Sequence, residues 1–174
     1  VEPVAFVDYL AVEQPDEETA EQLGEGLRCG ASEAGVALVG GETAVLPDIV
    51  SGLDIAGACA GLAPKGSLFP GEAQPGDALV GWPSSGIHSN GLTLAREAVT
   101  RDHAYADPCP FGDYETLGDA LLEPTAIYMD LLDPMREHGV RGAAHVTGAG
   151  SSNLDRRGGH RDVVEAAFDP RPVF

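Results

Sequence analysis

The chain is almost without lysine. Lys65 is the single one in 174 residues, and 10 basic residues stand against 28 acidic ones, for a net charge of −18. That imbalance repels phosphate backbones and anionic headgroups, which excludes nucleic acid and membrane surfaces as partners. An acidic, lysine-poor surface suits high salt, where self-repulsion is screened, so the composition reads as halophile-like. Cysteine is scarce as well. Cys29, Cys59 and Cys109 show no C-x-x-C spacing, which argues against a zinc site, and an odd count closes no disulfide framework. They are expected as free thiols in a reducing cytosol. No apolar run reaches the ~18 residues of a membrane span. No basic-then-apolar leader opens the chain, so the expected location is cytoplasmic. Repeats and low-complexity tracts are absent too. What is present, 43% hydrophobic residues, supports a core and excludes disorder. The length allows one domain or parts of two.

Val4–Val7 reads as a strand with Asp8 and Tyr9 at its end. Asp16 then reads as a helix cap, with Glu17 and Glu18 at the positive end of the helix. Ala20, Leu23, Leu27, Ala31 and Ala34 follow at helical spacing, and Gly35 is a natural stop. Val36–Val39 reads as a buried strand running into Gly40-Gly41-Glu42-Thr43, and Asp54–Ala63 as another strand. The segment 64–77 holds three prolines and three glycines and reads as a linker between two domains, 1–63 and 78–174. Beyond it come a strand (Ala78–Trp82), a helix from about Asn90 to Arg101, a polar excursion (Asp102–Gly118), a helix (Glu123–His138) interrupted at Pro134, and a short strand (Ala143–Val146). This order predicts an α+β, mixed α/β fold with helices packed on sheets.

Between Trp82 and the second predicted helix stands Ser84-Ser-Gly-Ile-His-Ser-Asn-Gly91. Small and hydroxyl residues let backbone N–H groups approach an anion, and a helix N-terminus adds partial positive charge. Ser85, Gly86, Ser89, Asn90 and Gly91 are therefore candidate phosphate or substrate contacts, although serine and asparagine also cap helices well. His88 is placed to hydrogen-bond a phosphate or oxyanion or to move a proton; its structural alternative is to fix the loop through backbone hydrogen bonds. Glu42, after two glycines, is a candidate magnesium ligand with Thr43 beside it, and Asp8 and Asp54 are candidates for the same metal–phosphate centre. The alternative for each acid is a solvated carboxylate. His145 is read equally as structural or functional, while His103, His138 and His160 are read as solvated. Arg156, Arg157 and Arg161 form a basic cluster, but three arginines in so acidic a chain argue against nucleic-acid binding.

The string SSGIHSNG resembles the signature of the aminoimidazole ribonucleotide synthetases, the cyclo-ligases of purine biosynthesis. Glu2-Pro-Val-Ala-Phe-Val-Asp-Tyr9 resembles that family's EP-x-x-F-x-DY strand, and Leu38-Val-Gly-Gly-Glu-Thr-Ala44 its LVGGETA segment. Leu122-Glu-Pro-Thr-Ala-Ile-Tyr128 and His145-Val-Thr-Gly-Ala-Gly150 resemble its L-x-PT-x-IY and H-[IL]-TGGG segments, in the family's order. The resemblance covers residues 1 to about 150 and has an archaeal flavour.

The resemblance implies an N-terminal domain whose strands pair across a homodimer, a C-terminal α/β domain, and an active site between them. It implies ATP and Mg2+ as cofactors and formylglycinamidine ribonucleotide as substrate, cyclised to aminoimidazole ribonucleotide. Family members also carry an N-terminal D-G-V-G-T-K loop and a V-N-D motif tied to nucleotide and magnesium. Neither string occurs here, so the expectation is a central piece of a longer protein or a short divergent member. Ala149 stands where the family has glycine, and Gly150-Ser-Ser-Asn-Leu replaces an aromatic-containing run. Two other readings remain. One is a different ATP-using relative, such as thiamine-monophosphate kinase. The other is a non-catalytic module kept for dimerisation or ligand binding.

Overall fold

A computed structural model of the protein describes residues 1–69 and 71–157. His160 and Arg161 lie outside the described residues, as do the side chains of Arg156 and Arg157. In chain order the elements are β1 (Glu2–Val12), α1 (Glu17–Ala34), β2 (Ala37–Val45), β3 (Leu53–Leu62), α2 (Leu92–Thr100) and α3 (Leu117–Leu121). A 3-10 turn (Met129–Leu131) then runs into α4 (Leu132–Glu137), and a second 3-10 stretch covers Gly150–Arg157. The chain divides into two compact units, Val1–Leu68 with Ile127–Glu137, and Phe69–Ala126 with His138–Phe174.

The first unit is built on a three-stranded sheet in the order β2-β1-β3. β1 and β2 are parallel and joined through α1, a β-α-β crossover; β3 returns antiparallel on the other side of β1. The strand–helix–strand–strand order expected from sequence is thus present. Asp16 caps α1, its carboxylate accepting from the Thr19 N–H at 2.8 Å; the Thr19 side chain first, and its backbone N–H after it, hold the Asp16 pKa below the usual carboxylate value. Gly35 ends the helix in the left-handed region at φ 65°, where its N–H reaches the Ala31 and Ser32 carbonyls. Leu23, Leu27, Ala31 and Ala34 of the expected stripe are half-buried, while Ala20, its first member, is exposed.

Three expectations about this sheet are corrected. β1 extends to Val12, so Asp8 and Tyr9 lie in mid-strand rather than at its end. Gly40–Thr43 do not follow β2; they lie within it, laddered against Val7–Leu10. Pairing with a central strand outweighs the weak strand preference of glycine. At Gly41 the glycine has a local cause: a Cβ there would lie 2.8 Å from the Asp8 Cγ, so the Asp8 carboxylate takes the space a side chain would need. Finally, β2 is not buried. Leu38 and Val39 are exposed, as is every residue of β3. The buried apolar side chains of this unit are Leu10, Ala11 and Val12 at the end of β1. Both outer strands present open edges, the arrangement that invites pairing with another chain.

α4 belongs to this unit; Arg136 ties it to β1 by an ion pair with Glu2 at 2.8 Å and also pairs within the helix with Asp133 at 3.2 Å. The helix expected from Glu123 begins only at the 3-10 turn from Met129. Pro134 falls in the first turn of α4, where N–H groups have no partner inside a helix, so the proline does not break it. Gly139, at φ 62°, follows the helix end as expected.

The second unit carries no strand of three or more residues among the described residues, only an isolated bridge between Pro108 and Thr116. The runs Ala78–Trp82 and Ala143–Val146 read as strands in the sequence, but no neighbour supplies them a ladder, and Val80, Trp82 and Val146 are exposed. α2 starts at Leu92 behind Gly91, which sits at φ 85°. α3 is held by a capping box, in which Thr116 and Asp119 each accept from the other's backbone N–H. It supplies Leu117 and Ala120, the buried apolar residues among the described residues of this unit.

Candidate active site

In the second unit the loop 84–91 closes on itself through one residue pair. The Ser85 backbone N–H donates to His88 Nε2 at 3.0 Å, and Ser85 Oγ lies 2.9 Å from the same nitrogen. Ser85 Oγ also donates to the Pro124 carbonyl at 2.6 Å. Gly86, between the two, is buried; a Cβ there would meet the Glu123 side chain at 3.2 Å. The 123–124 segment therefore packs closely under the loop, and a side chain at 86 would require Glu123 to shift by a few tenths of an ångström. His88 is at φ 60°, the one non-glycine residue with positive φ among the described residues. Left-handed backbone costs an ordinary residue about 1–2 kcal/mol. That strain turns the imidazole back over Ser85.

The loop meets a second glycine-rich segment. Asn90 Oδ1 lies 3.1 Å from where a Cβ on Gly148 would be, so Asn90 lies against Gly148. His145, at the head of that segment, is close enough for its positive charge to act on His88. Burial, and after it the charge of His145, hold the His88 pKa below its ordinary value of 6.5, so His88 is neutral at neutral pH. Asn153 is the one buried polar residue among the described residues. Its Nδ2 donates to the Gly150 carbonyl at 2.8 Å, while its Oδ1 has no partner among the described residues. Ser89 and Asn90 are exposed, and Gly91 adjoins the α2 N-terminus without any side-chain cap. Their polar groups are thus not spent on helix capping, which the sequence had left as an alternative.

The other candidates belong to the first unit, and the sheet register separates them. Asp8 pairs with Gly41 and Gly57, and its face of the sheet carries Leu10 and Thr43. Glu42 is level with Tyr9, and Asp54 with Ala11, on the opposite face. Glu42 and Asp54 also sit on the two outer strands, two spacings or about 10 Å apart across the sheet. No group of three acidic, histidine or cysteine side chains suited to a metal ion occurs among the described residues. Asp8, Glu42 and Asp54 have the oxygen chemistry magnesium prefers, but they do not converge on one ion. Thr43 borders the hollow of about 770 Å³ between the end of β1 and the start of α1. Asp16 and Glu17 also line that hollow, and their charge disfavours an anion there.

What the sequence missed is Pro124 as the acceptor under Ser85, and Glu123 against Gly86. The L-x-PT-x-IY string marked the segment, but nothing in it assigned a partner to the proline carbonyl.

Residues 1–63 match the family model described as AIR synthase related protein, N-terminal domain, and residues 74–157 match its C-terminal domain. The chain belongs to the AIR synthase related family. Among relatives of this family, the chain is 50% identical over 181 residues to the phosphoribosylformylglycinamidine cyclo-ligase of Methanosarcina mazei, covering 99% of this chain and 53% of that protein. It is 44% identical over 180 residues to the protein of the same name from Methanopyrus kandleri, covering 99% and 52%. With the one from Pyrococcus furiosus it shares 47% over 161 residues, covering 89% and 46%. The chain thus spans about half the length of these AIR synthase relatives. No helix among the described residues is long and apolar enough to cross a membrane.

Proposed function

We propose that the protein serves the ATP-dependent ring closure of formylglycinamidine ribonucleotide to aminoimidazole ribonucleotide, in the cytoplasm and as a homodimer. The observation that carries this reading is the Ser85–His88 loop, clasped to Pro124 and to Gly148, in a chain of the AIR synthase related family. An amide oxygen leaves poorly. ATP phosphorylates it, giving ADP; an amidine nitrogen then attacks the carbon, and phosphate departs with that oxygen. What the protein must supply is position, together with hydrogen-bond donors where negative charge develops.

In this reading Gly86, Ser89, Asn90 and Gly91 hold phosphate or substrate oxygens beside the α2 N-terminus. Ser85 belongs to the same loop, and His88 faces the reacting oxygens. Thr43 is a separate candidate contact within the first unit. Magnesium, when bound with ATP, neutralises phosphate charge. The split of Asp8 from Glu42 and Asp54 does not fit a three-carboxylate centre, so no step is drawn through the ion. The division into a domain of residues 1–63, a linker of 64–77 and a second domain from 78 is part of the same proposal. The scattered carboxylates favour one competing reading, a module that binds ligand without turnover.

The test is conversion of formylglycinamidine ribonucleotide by the protein in molar KCl with ATP and magnesium. The expected result is turnover that falls by 10²-fold or more, of the order expected for a lost acid–base or oxyanion group, in His88→Ala. Saturable binding of both ligands with no product, from a folded protein, would establish the binding module instead.

A further inference from the structure

The parallel strands β1 and β2 end on the same side of the sheet, and α1 starts there. The hollow of the first unit lies at these carboxyl ends, where open α/β sheets commonly take ligands. Its volume of about 770 Å³ is that of a small-molecule site. The floor is apolar. Leu10 and Val12 come from β1, and Leu53 from the start of β3, level with Val12. The wall is acidic. Glu13, Asp16 and Glu17 line it, and no basic residue does. Two of these carboxylates are each held through one oxygen: Glu13 Oε2 accepts from the Gly52 N–H at 2.9 Å, and Asp16 Oδ2 from the Thr19 N–H at 2.8 Å. These bonds fix the carboxylates in place without neutralising them. The Asp16 cap also occupies an N–H that a helix N-terminus would otherwise offer to an anion.

The first unit has no basic side chain of its own to meet that charge. It contains three, Arg28, Lys65 and Arg136. Arg28 is paired with Glu25, and Arg136 with Glu2 and Asp133. Lys65 follows β3, whose last residue, Leu62, is level with Glu2, at the opposite end of β1 from the hollow. An apolar floor under an unmatched acidic wall suits a ligand that combines hydrocarbon with positive charge. We propose that the hollow binds a small organic ammonium ion. Its hydrocarbon body rests on Leu10, Val12 and Leu53, and its N–H groups donate to the remaining oxygens of Glu13, Asp16 and Glu17. The site does not rest on the ring-closure reading. Its apolar floor separates it from the general attraction of cations to a chain of net charge −18.

The test is a titration of the nitrogen-15-labelled protein at neutral pH, in the lowest KCl concentration that keeps it folded. Three probes are compared: benzylammonium, benzyl alcohol and methylammonium. Benzylammonium should give saturable shifts centred on the amides of Thr19, Ala20, Gly52 and Leu53. Benzyl alcohol, which keeps the body and lacks the charge, should bind about 10-fold more weakly. Methylammonium, which keeps the charge and lacks the body, should bind about 30-fold more weakly or worse. Glu17→Gln should weaken benzylammonium by about 2- to 5-fold, the size of one solvated ion pair. Ala20→Leu adds a good helix former to the lining and should abolish the shifts while the helix stays folded. Methylammonium as tight as benzylammonium, or shifts spread over the whole acidic surface, overturns the site in favour of counter-ion attraction. Benzyl alcohol as tight as benzylammonium overturns the recognition of charge. Unchanged binding in Ala20→Leu, or no saturable shift of these amides in the folded protein, overturns the hollow as the site.

Discussion

Asp8 and His88 are both candidate site residues, and the two units hold them by different means. Asp8 lies in a strand paired on both sides, and its surroundings are set by register: Gly41 on one flank, Gly57 on the other. His88 has no ladder. Two contacts from Ser85, which is itself anchored on Pro124, and a positive φ hold it, with Gly86 packed against Glu123 beside it. Backbone pairing fixes where a residue sits in the sheet but leaves its side chain free to be exposed, as Glu42 and Asp54 are. The loop does the reverse: it has little regular structure, yet it specifies the orientation of one ring. The first kind of support is broken by sterics and the second by removing one polar atom.

The largest effect is expected in the sheet. Gly41→Val drives a branched side chain into the Asp8 carboxylate and should cost about 2 kcal/mol or more, as overpacking does. Denaturant melts would show it, and Asp8→Ala in the same chain should recover part of the loss. Full stability in Gly41→Val would mean that register does not place Asp8 there. In the second unit the corresponding device is a cap. Thr116→Ala removes one half of the capping box of α3 and should cost about 1 kcal/mol in the same melts.

The loop should also respond to acid. The folded pKa of His88 lies below its ordinary 6.5, so the unfolded chain takes the proton first. Stability from this group is complete above pH 6.5 and falls as pH drops from there toward the folded pKa. Protonation at Nε2 also removes the acceptor of the Ser85 amide, so exchange of that amide should quicken over the same window, beyond the intrinsic pH trend of an exposed amide. The smallest effect belongs to the surface. The Arg28 guanidinium pulls the Glu25 pKa down to about 2, but both side chains are solvated, so Glu25→Gln should leave the melt within error.

These contrasts also explain what was legible in the sequence. α1 could be read from Asp16 to Gly35 because caps and spacing are local signals, and its contacts agree with them. The Gly40–Thr43 segment was misread because its strand state comes from pairing with β1, more than thirty residues away. Ala78–Trp82 and Ala143–Val146 look like strands by composition, but a strand exists only with a neighbour, and no described residue provides one. In the loop, residue types pointed to a site and even to backbone hydrogen bonding by His88. The choice of Ser85 N–H as donor and Pro124 as anchor depends on a positive φ at histidine, which sequence alone does not announce. The carboxylates Asp8, Glu42 and Asp54 were grouped by chemistry; only the pleat and register show that Asp8 faces away from the other two.

The most direct measurement of the central claim is a titration of nitrogen-15-labelled protein with formylglycinamidine ribonucleotide, then with ATP and magnesium, followed by amide chemical shifts. Saturable shifts concentrated in Ser84–Gly91 and Thr147–Gly150 are the predicted result. Saturable binding that leaves both segments unmoved would contradict the account.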